Sequence, residues 1–411
     1  MNKSCGDSAM NTEYPIPPRA VLKEQKERIL ARIYDHHLRK WAGSAGNVFF
    51  ISDAYPGVWL EHLYDGVSWA DYMPTEHVVS KNHIEIFLDR QTEEGQLPCY
   101  IWENETGYGW TQECVSVGSV CLEAIQQNPE DEAFLPKCYR SVSAWVNWLS
   151  KTHMTRGTGL IEMFCGFDTG HDNSARLDGL KYKGENQKNG KRVPGGIAPD
   201  DCDVLPMLAP DMNACFFGNL MSLSKMAELL GKPEEAAEWK DRALDVRKKM
   251  FEYLWDAEDQ YFYDVDKHGE KRKIRSIFLT NVISEGVMEP ALVEETAKRY
   301  LFNENEFWTP YPMPAVSSSD PKWVQNLPGN SWGFYSQGLT GLRSMHWMPR
   351  YGYTDQMQEM MRRWVSAWSQ STTTQFGQEL HPITGVPSEC SQWYSSCMLY
   401  YLHALRILFD I

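Results

Sequence analysis

The chain has no apolar run approaching the roughly 20 residues that a membrane-spanning helix requires, so no helix of that kind is expected. It has no apolar leader at its N-terminus either. Ser4-Cys5-Gly6 resembles the stub of a trimmed lipoprotein signal, but no apolar stretch precedes it. The compartment therefore stays open between the cytoplasm and, if Cys5 is such a stub, the cell envelope. Basic charge is scarce: 40 Lys and Arg against 55 Asp and Glu leave a net charge of −15, which disfavours nucleic acid or an anionic membrane as partner. None of the ten cysteines forms a Cys-x-x-Cys pair, the usual zinc or redox signature. Asp201-Cys202-Asp203 resembles a metal cluster only superficially, and neither a metal nor a cofactor is assigned. Cys114, Cys121, Cys215 and Cys397 fall within helical apolar patterns and read as small buried hydrophobes. A linker, a composition shift and convincing strand alternation are missing as well, so one domain is expected.

What is present is helical periodicity and an abundance of rings. Hydrophobic residues at 42% and charged ones at 23% fit a globular protein. There are 16 Trp, 20 Tyr and 16 Phe; Trp is costly to bury without a partner for its N–H, so such a surplus is more easily housed along a cleft. Residues 1–18 are polar and end in Pro15-Ile16-Pro17-Pro18, an extended lead-in to a domain over 19–411. The clearest helix runs from Met212 to Leu230, with apolar side chains at 212, 215, 216, 220, 223, 226, 227 and 230. Gly231 ends it and Lys232-Pro233 opens the next, which reaches about Trp255. Further helices are read at about 19–41, 75–91, 111–127, 131–153, 275–284, 290–303, 332–348, 354–370 and 388–410. The fold class is all-α. Helices in this number, paired by short turns, can close into a six-hairpin ring with a cleft at one end. Residues 177–208 break the pattern, with Lys181, Lys183, Lys188, Lys191 and Arg192 among glycines. A loop of this length is either a solvated insertion or a lid over a cleft.

Two stretches carry the chemistry: Phe167-Asp168-Thr169-Gly170-His171-Asp172-Asn173-Ser174-Ala175-Arg176 and Gln378-Glu379-Leu380-His381-Pro382-Ile383-Thr384-Gly385. Each offers a carboxylate among Gly, Pro and small polar residues. Two carboxylates from distant loops are the minimal machinery for cleaving a glycosidic bond, one protonating the leaving oxygen and one activating water. Read singly, each has a plain alternative: Asp172 suits a helix N-cap, and Glu379 a solvated turn.

Taken together, these motifs resemble glycoside hydrolase family 63 and its relatives, which include processing α-glucosidases and bacterial mannosylglycerate and glucosylglycerate hydrolases. The family's Trp-Glu-x-Gly-x-Asp-Asn-Ser-x-Arg stands here as Phe167 to Arg176, and its Glu-x-Tyr-x-Pro-x-Thr-Gly as Glu379 to Gly385, followed by Trp393-Tyr394-Ser395-Ser396. Between them, Pro312 to Pro321 is similar to Pro-Ser-x-x-x-x-Asp-Pro, and Asn330-Ser331-Trp332-Gly333-Phe334-Tyr335 stands where the family has Trp-Arg-Gly-Pro-Val-Trp. Tyr64-Asp65 with Trp69 stands near an N-terminal Trp-Asp. The chain departs from the pattern at Phe167-Asp168 and along 330–335, and Glu379 is one residue closer to Pro382.

The resemblance implies an (α/α)6 toroid and an inverting enzyme with Asp172 as general acid and Glu379 as general base. An inverting pair stands roughly 6.5–9.5 Å apart, a retaining one about 5–5.5 Å. Asp172 needs a raised pKa, and Asp168 supplies a like charge if the stretch is helical. Trp69, Trp110, Trp332 and Trp393 are candidates for sugar stacking or for core, while Tyr64, Asp65, Asp168, Asn173 and Tyr335 are further substrate contacts. Arg176 either binds hydroxyls, fixes Asp172 by a bidentate pair, or is a helix-surface cation. The expected function is exo-acting hydrolysis of an α-linked glucosyl or mannosyl unit from a short saccharide or a glycosylglycerate, with lid lysines available to an anionic aglycone. An epimerase or lyase on the same ring, and a sugar-binding protein without catalysis, are the alternatives. Sugar, linkage and oligomeric state are left open.

Overall fold

The computed structural model describes residues 14–55, 57–180, 184–324, 330–371 and 375–411; Cys5, Lys181 and Lys183 lie outside them. Among the described residues there are twelve α-helices. In chain order they are α1 (Arg19–Arg32), α2 (Leu63–Tyr72), α3 (Val78–Leu88), α4 (Val117–Gln127), α5 (Phe134–Thr152) and α6 (Pro210–Leu229). There follow α7 (Pro233–Tyr253), α8 (Leu279–Ser284), α9 (Pro290–Thr296), α10 (Gly338–Arg350), α11 (Thr354–Gln370) and α12 (Ser395–Phe409). The strands are two or three residues long, so the fold is all-α in class.

The even-numbered helices pack in succession, α2 on α4, α4 on α6, α6 on α8, α8 on α10, α10 on α12, and α12 back on α2. Around them, α3 lies against α2, α5 against α4 and α6, α7 against α6, and α11 against α10 and α12. The burial of each helix follows its place. Inner α6 is buried on every side from Pro210 to Leu220, and α12 without a break from Ser395 to Leu405. Outer α7 buries one stripe, Ala236, Ala243, Val246 and Met250, and turns its charges outward. The α6–α7 hairpin is punctuated as its sequence predicts: Gly231 takes φ +70° at the turn, and Pro233 opens α7 where an N–H would be unpaired in any case.

Several helices are shorter than expected, and the differences are instructive. The stretches 111–127, 332–348 and 388–410 become helical only at Val117, Gly338 and Ser395. Helix α1 stops at Arg32, where a π-turn over Ile33–His37 leads into a strand, Leu38–Lys40. Cys114, expected inside a helix, is buried in the loop ahead of α4, whereas Cys121, Cys215 and Cys397 are buried helical residues. Helix α2 is not among the expected helices. Nine of its ten residues are buried, with Gly66 in the middle packed on His83, so it shows no amphipathic stripe to read.

The 177–208 insertion holds a small antiparallel hairpin, Gln187–Lys188 paired with Lys191–Arg192. Asn186 pins its base, its side-chain amide donating to the carbonyls of Pro194 (3.0 Å) and Ile197 (2.6 Å).

Candidate active site

Segments that run into the inner helices line a cleft. Trp59 to His62 lead into α2, Trp110 to Gln112 stand ahead of α4, the Asp172 loop ahead of α6, Asn330 and Trp332 ahead of α10, and Gln378 and Tyr394 ahead of α12. Helix N-termini thus converge on one end of the ring, where their partial positive charge favours carboxylates. The cleft has a volume of about 500 Å³. One wall is a three-stranded antiparallel sheet, Gly57–Trp59, Tyr100–Trp102 and Thr106–Gly107, with Trp59 opposite Tyr100. Glu185 and Arg192 of the insertion stand on its rim. The insertion therefore borders the cleft.

The two carboxyls anticipated from sequence are joined by Asn330: Asp172 lines the cleft beside it, while Glu379 is fully buried and is not among the described residues that line the cleft. The backbone N–H of Asn330 donates to Glu379 Oε1 at 2.7 Å, and its side-chain amide donates to Asp172 Oδ2 at 3.2 Å. The covalent reach of one asparagine holds those two oxygens within roughly 11 Å of each other. Asn330 is itself fixed: Gln378 donates to its Oδ1 at 3.0 Å, Asn173 to its backbone carbonyl at 2.8 Å, and the Tyr55 hydroxyl holds Gln378 at 3.2 Å.

The two settings differ. Glu379 is fully buried on a short strand paired with Ser336–Gln337, and that pairing places Gln337 beside it. Gln337 Nε2 donates to Oε2 at 2.6 Å and the Ser331 N–H to the same oxygen at 3.2 Å. Burial pushes the Glu379 carboxyl above its ordinary range, and these donors pull it back. Asp172 takes its one described side-chain bond from Asn330. Burial first, and the nearby Glu61 carboxylate second, push its carboxyl up to about 7, against the pull of that bond.

Glu61 is the residue that sequence reasoning missed. It lies on the cleft wall just ahead of α2, and Gly170, at φ +68°, packs so closely that a Cβ there would collide with its carboxylate. Behind it stands His62, buried, with Nε2 3.2 Å from Glu61 Oε1 and Nδ1 2.9 Å from Asp65 Oδ2. Burial opposes the imidazolium, but Asp65 and Glu61 together raise it to about 9. Asp65 is in turn anchored by the Ser395 and Ser396 hydroxyls. The Trp-x-Glu-His sequence at the start of a helix was the available signal, hidden because α2 has no readable periodicity.

Of the other expected site residues, Trp110 and Trp332 line the cleft, and Asn173 latches the Asp172 loop to Asn330. The rest are corrected. Asp168 is fully buried and turned away, accepting from the backbone N–H groups of Thr111 (2.8 Å), Phe164 (2.8 Å) and Cys165 (3.0 Å); it ties loops together, and the like charge near Asp172 comes from Glu61. Arg176 neither touches Asp172 nor lies on a surface. It is fully buried in a double ion pair, with Asp211 at 2.5 Å and Asp264 at 2.9 Å. Trp69 is core, its indole N–H donating to Glu76 at 2.9 Å. Asp65 is the anchor of His62. Tyr335 rests on Phe334 and His381, and Trp393 is stacked under Arg28 and Arg32; neither is among the described residues that line the cleft. Tyr64 lines a second cavity of about 340 Å³, inside the ring beyond Trp332, with Glu123, Glu285 and Arg343. Trp332 stacks on His171 at 4.2 Å and separates the two spaces.

Comparison with known proteins gives the class: the protein is a glycoside hydrolase, which acts on a saccharide. The chain belongs to the mannosylglycerate hydrolase MGH1-like glycoside hydrolase domain family, whose sequence model matches residues 73–396. That sets aside the epimerase, lyase and non-catalytic alternatives. Its fold is similar to that of the GH63 mannosylglycerate hydrolase of Thermus thermophilus solved with Tris and D-glycerate (17% identity, 93% of this chain and 99% of that one, TM-score 0.68). It is similar also to neutral trehalase Nth1 of Saccharomyces cerevisiae (10% identity, 96% of this chain and 81% of that one, TM-score 0.67). A Borreliella burgdorferi protein described as uncharacterized is 28% identical over 135 residues, 32% of this chain and 26% of its own length. No helix among the described residues is long and apolar enough to cross a membrane.

Proposed function

We propose that the protein is an inverting, exo-acting α-glycosidase, with Asp172 as general acid and Glu379 as general base, on a single-domain (α/α)6 toroid. The closed succession of inner helices supports the toroid. The observation that carries the mechanism is the Asn330 bridge, which joins two carboxyls that differ in how many hydrogen-bond donors they receive.

Asp172, with a carboxyl near 7, is still substantially protonated at neutral pH, and that form delivers its proton to the glycosidic oxygen as the bond to the anomeric carbon breaks. Glu379 is charged when it acts. Its N–H donors, one on Oε1 and two on Oε2, favour the charged form that takes a proton from water. That water attacks the opposite face of the ring, and the Asn330 bridge admits the roughly 6.5–9.5 Å separation it needs. Trp110 and Trp332 offer faces to the sugar. The glycone is a glucosyl or mannosyl unit, and the substrate is a short saccharide or other small glycoside.

The test is a panel of α-linked glucosides and mannosides followed by proton NMR in the first minutes of turnover. The expected first product is the β-anomer of the free sugar. An α-anomer formed first would mean retention and would remove the mechanism.

A further inference from the structure

Beyond the bond cleaved, the cleft carries information about the group that leaves. This step rests on Asp172 as the proton donor and assigns the leaving group to the side of the cleft, its mouth, that the sheet wall and the insertion line. Three features of that mouth bear on its chemistry.

First, the wall is aromatic and continuous. Trp59, Tyr100, Trp102, Trp110 and Phe167 line it, with ring centroids 6.0 Å apart for Trp59 and Tyr100, 4.5 Å for Tyr100 and Trp102, 5.4 Å for Tyr100 and Trp110, and 5.2 Å for Trp110 and Phe167. Gly107 keeps Tyr100 in place, since a Cβ there would strike its ring. Such a surface is covered by another ring and not by a short open chain.

Second, the charge is of the wrong sign for an acid. Glu61, Glu105 and Glu185 line the cleft. The cations among the described lining residues, Arg192 and His62, already face carboxylates: Arg192 pairs with Glu185, and His62 lies between Glu61 and Asp65. Third, the described lysines of the insertion are turned to other work. Lys188 is 3.4 Å from Asp200, Lys191 is exposed, and neither lines the cleft.

We infer that the leaving group is a neutral ring, a second pyranose or an aryl group, and that the mouth selects against a short carboxylate of the glycerate kind. The aromatic wall supplies the binding, while Glu105 and Glu185 repel an anion that finds no unpaired cation among the described lining residues.

The experiment compares kcat/KM for three substrates sharing one glycone: an α-linked disaccharide, the glycosylglycerol and the glycosylglycerate. The first differs from the second in having a ring, and the second from the third in lacking charge. The expected order is disaccharide, then glycosylglycerol, then glycosylglycerate, with at least tenfold between first and last. Added salt should narrow the gap between the last two by screening the repulsion. W102A should shrink the disaccharide-to-glycosylglycerol ratio several-fold through KM, and E105Q with E185Q should raise kcat/KM for the glycosylglycerate. A folding-independent readout is quenching of tryptophan fluorescence in D172N by phenol or methyl glucoside against glycerate, the neutral rings binding more tightly. Hydrolysis with the glycosylglycerate preferred or equal would overturn the inference and leave the glycosidase reading standing. No hydrolysis of any of the three by the folded protein would overturn both.

Discussion

The Phe167–Arg176 and Gln378–Gly385 segments each bring one carboxyl to Asn330, and they surround it differently. The second wraps Glu379 in N–H donors from Asn330, Ser331 and Gln337. The first spends its donors elsewhere. Asp168 takes the backbone N–H groups of Thr111, Phe164 and Cys165, while Asp172, four residues on, is left with one amide from Asn330 and with Glu61 near it. One segment thus surrounds its carboxyl with donors that favour the charge, and the other leaves burial and a like charge to favour the proton, the contrast on which the proposed division of acid and base roles rests.

The largest expected effect comes from removing either group. D172N and E379Q should each lower kcat by about 10²–10⁴-fold on unactivated substrates while the protein stays folded, as read by circular dichroism and steady-state kinetics. Next is the frame behind Asp172. R176M leaves Asp211 and Asp264 buried without their partner and should cost about 3–5 kcal/mol in urea unfolding, with activity lost through stability. A variant as stable as the parent would contradict the buried-pair assignment.

The pH profile sharpens the comparison further. Asp172 acts protonated, so kcat/KM should fall as pH rises through about 7. E61Q removes the neighbouring negative charge and should move that alkaline limb to lower pH; N330A removes the bond that favours the ionised form and should move it to higher pH. Limbs that move together, or not at all, would mean that the limb belongs to another group. The smallest effect is expected at Trp69. W69F loses one bond to Glu76 and should cost about 1 kcal/mol of stability with KM unchanged.

How much of this was legible in the sequence depended on how local the cause was. The α6–α7 hairpin could be read because Gly231 and Pro233 punctuate it and α7 is amphipathic. Asp172 and Glu379 were legible from their surroundings of Gly, Pro and small polar residues. Helix α2 was not, being buried on all sides, and Glu61 and His62 were lost with it. Arg176 sits in the right motif, but its role is decided by Asp211 and Asp264, which no local pattern connects to it. Tryptophan abundance announced a cleft without saying which rings belong to it: Trp59 and Trp102 line it, while Trp69 and Trp393 do not. Asn330, quoted only as part of a motif, turned out to join the two carboxyls, because the reach of its backbone N–H and its side-chain amide is a property of the fold alone.

The division of roles is tested most directly with α-glycosyl fluorides, whose leaving group needs no proton. The account predicts that D172N hydrolyses the fluoride of the preferred glycone at a rate within about tenfold of the parent, while E379Q remains inactive on it. A D172N enzyme as inactive on the fluoride as on the glycoside, or an E379Q enzyme restored by it, would contradict the assignment of acid and base.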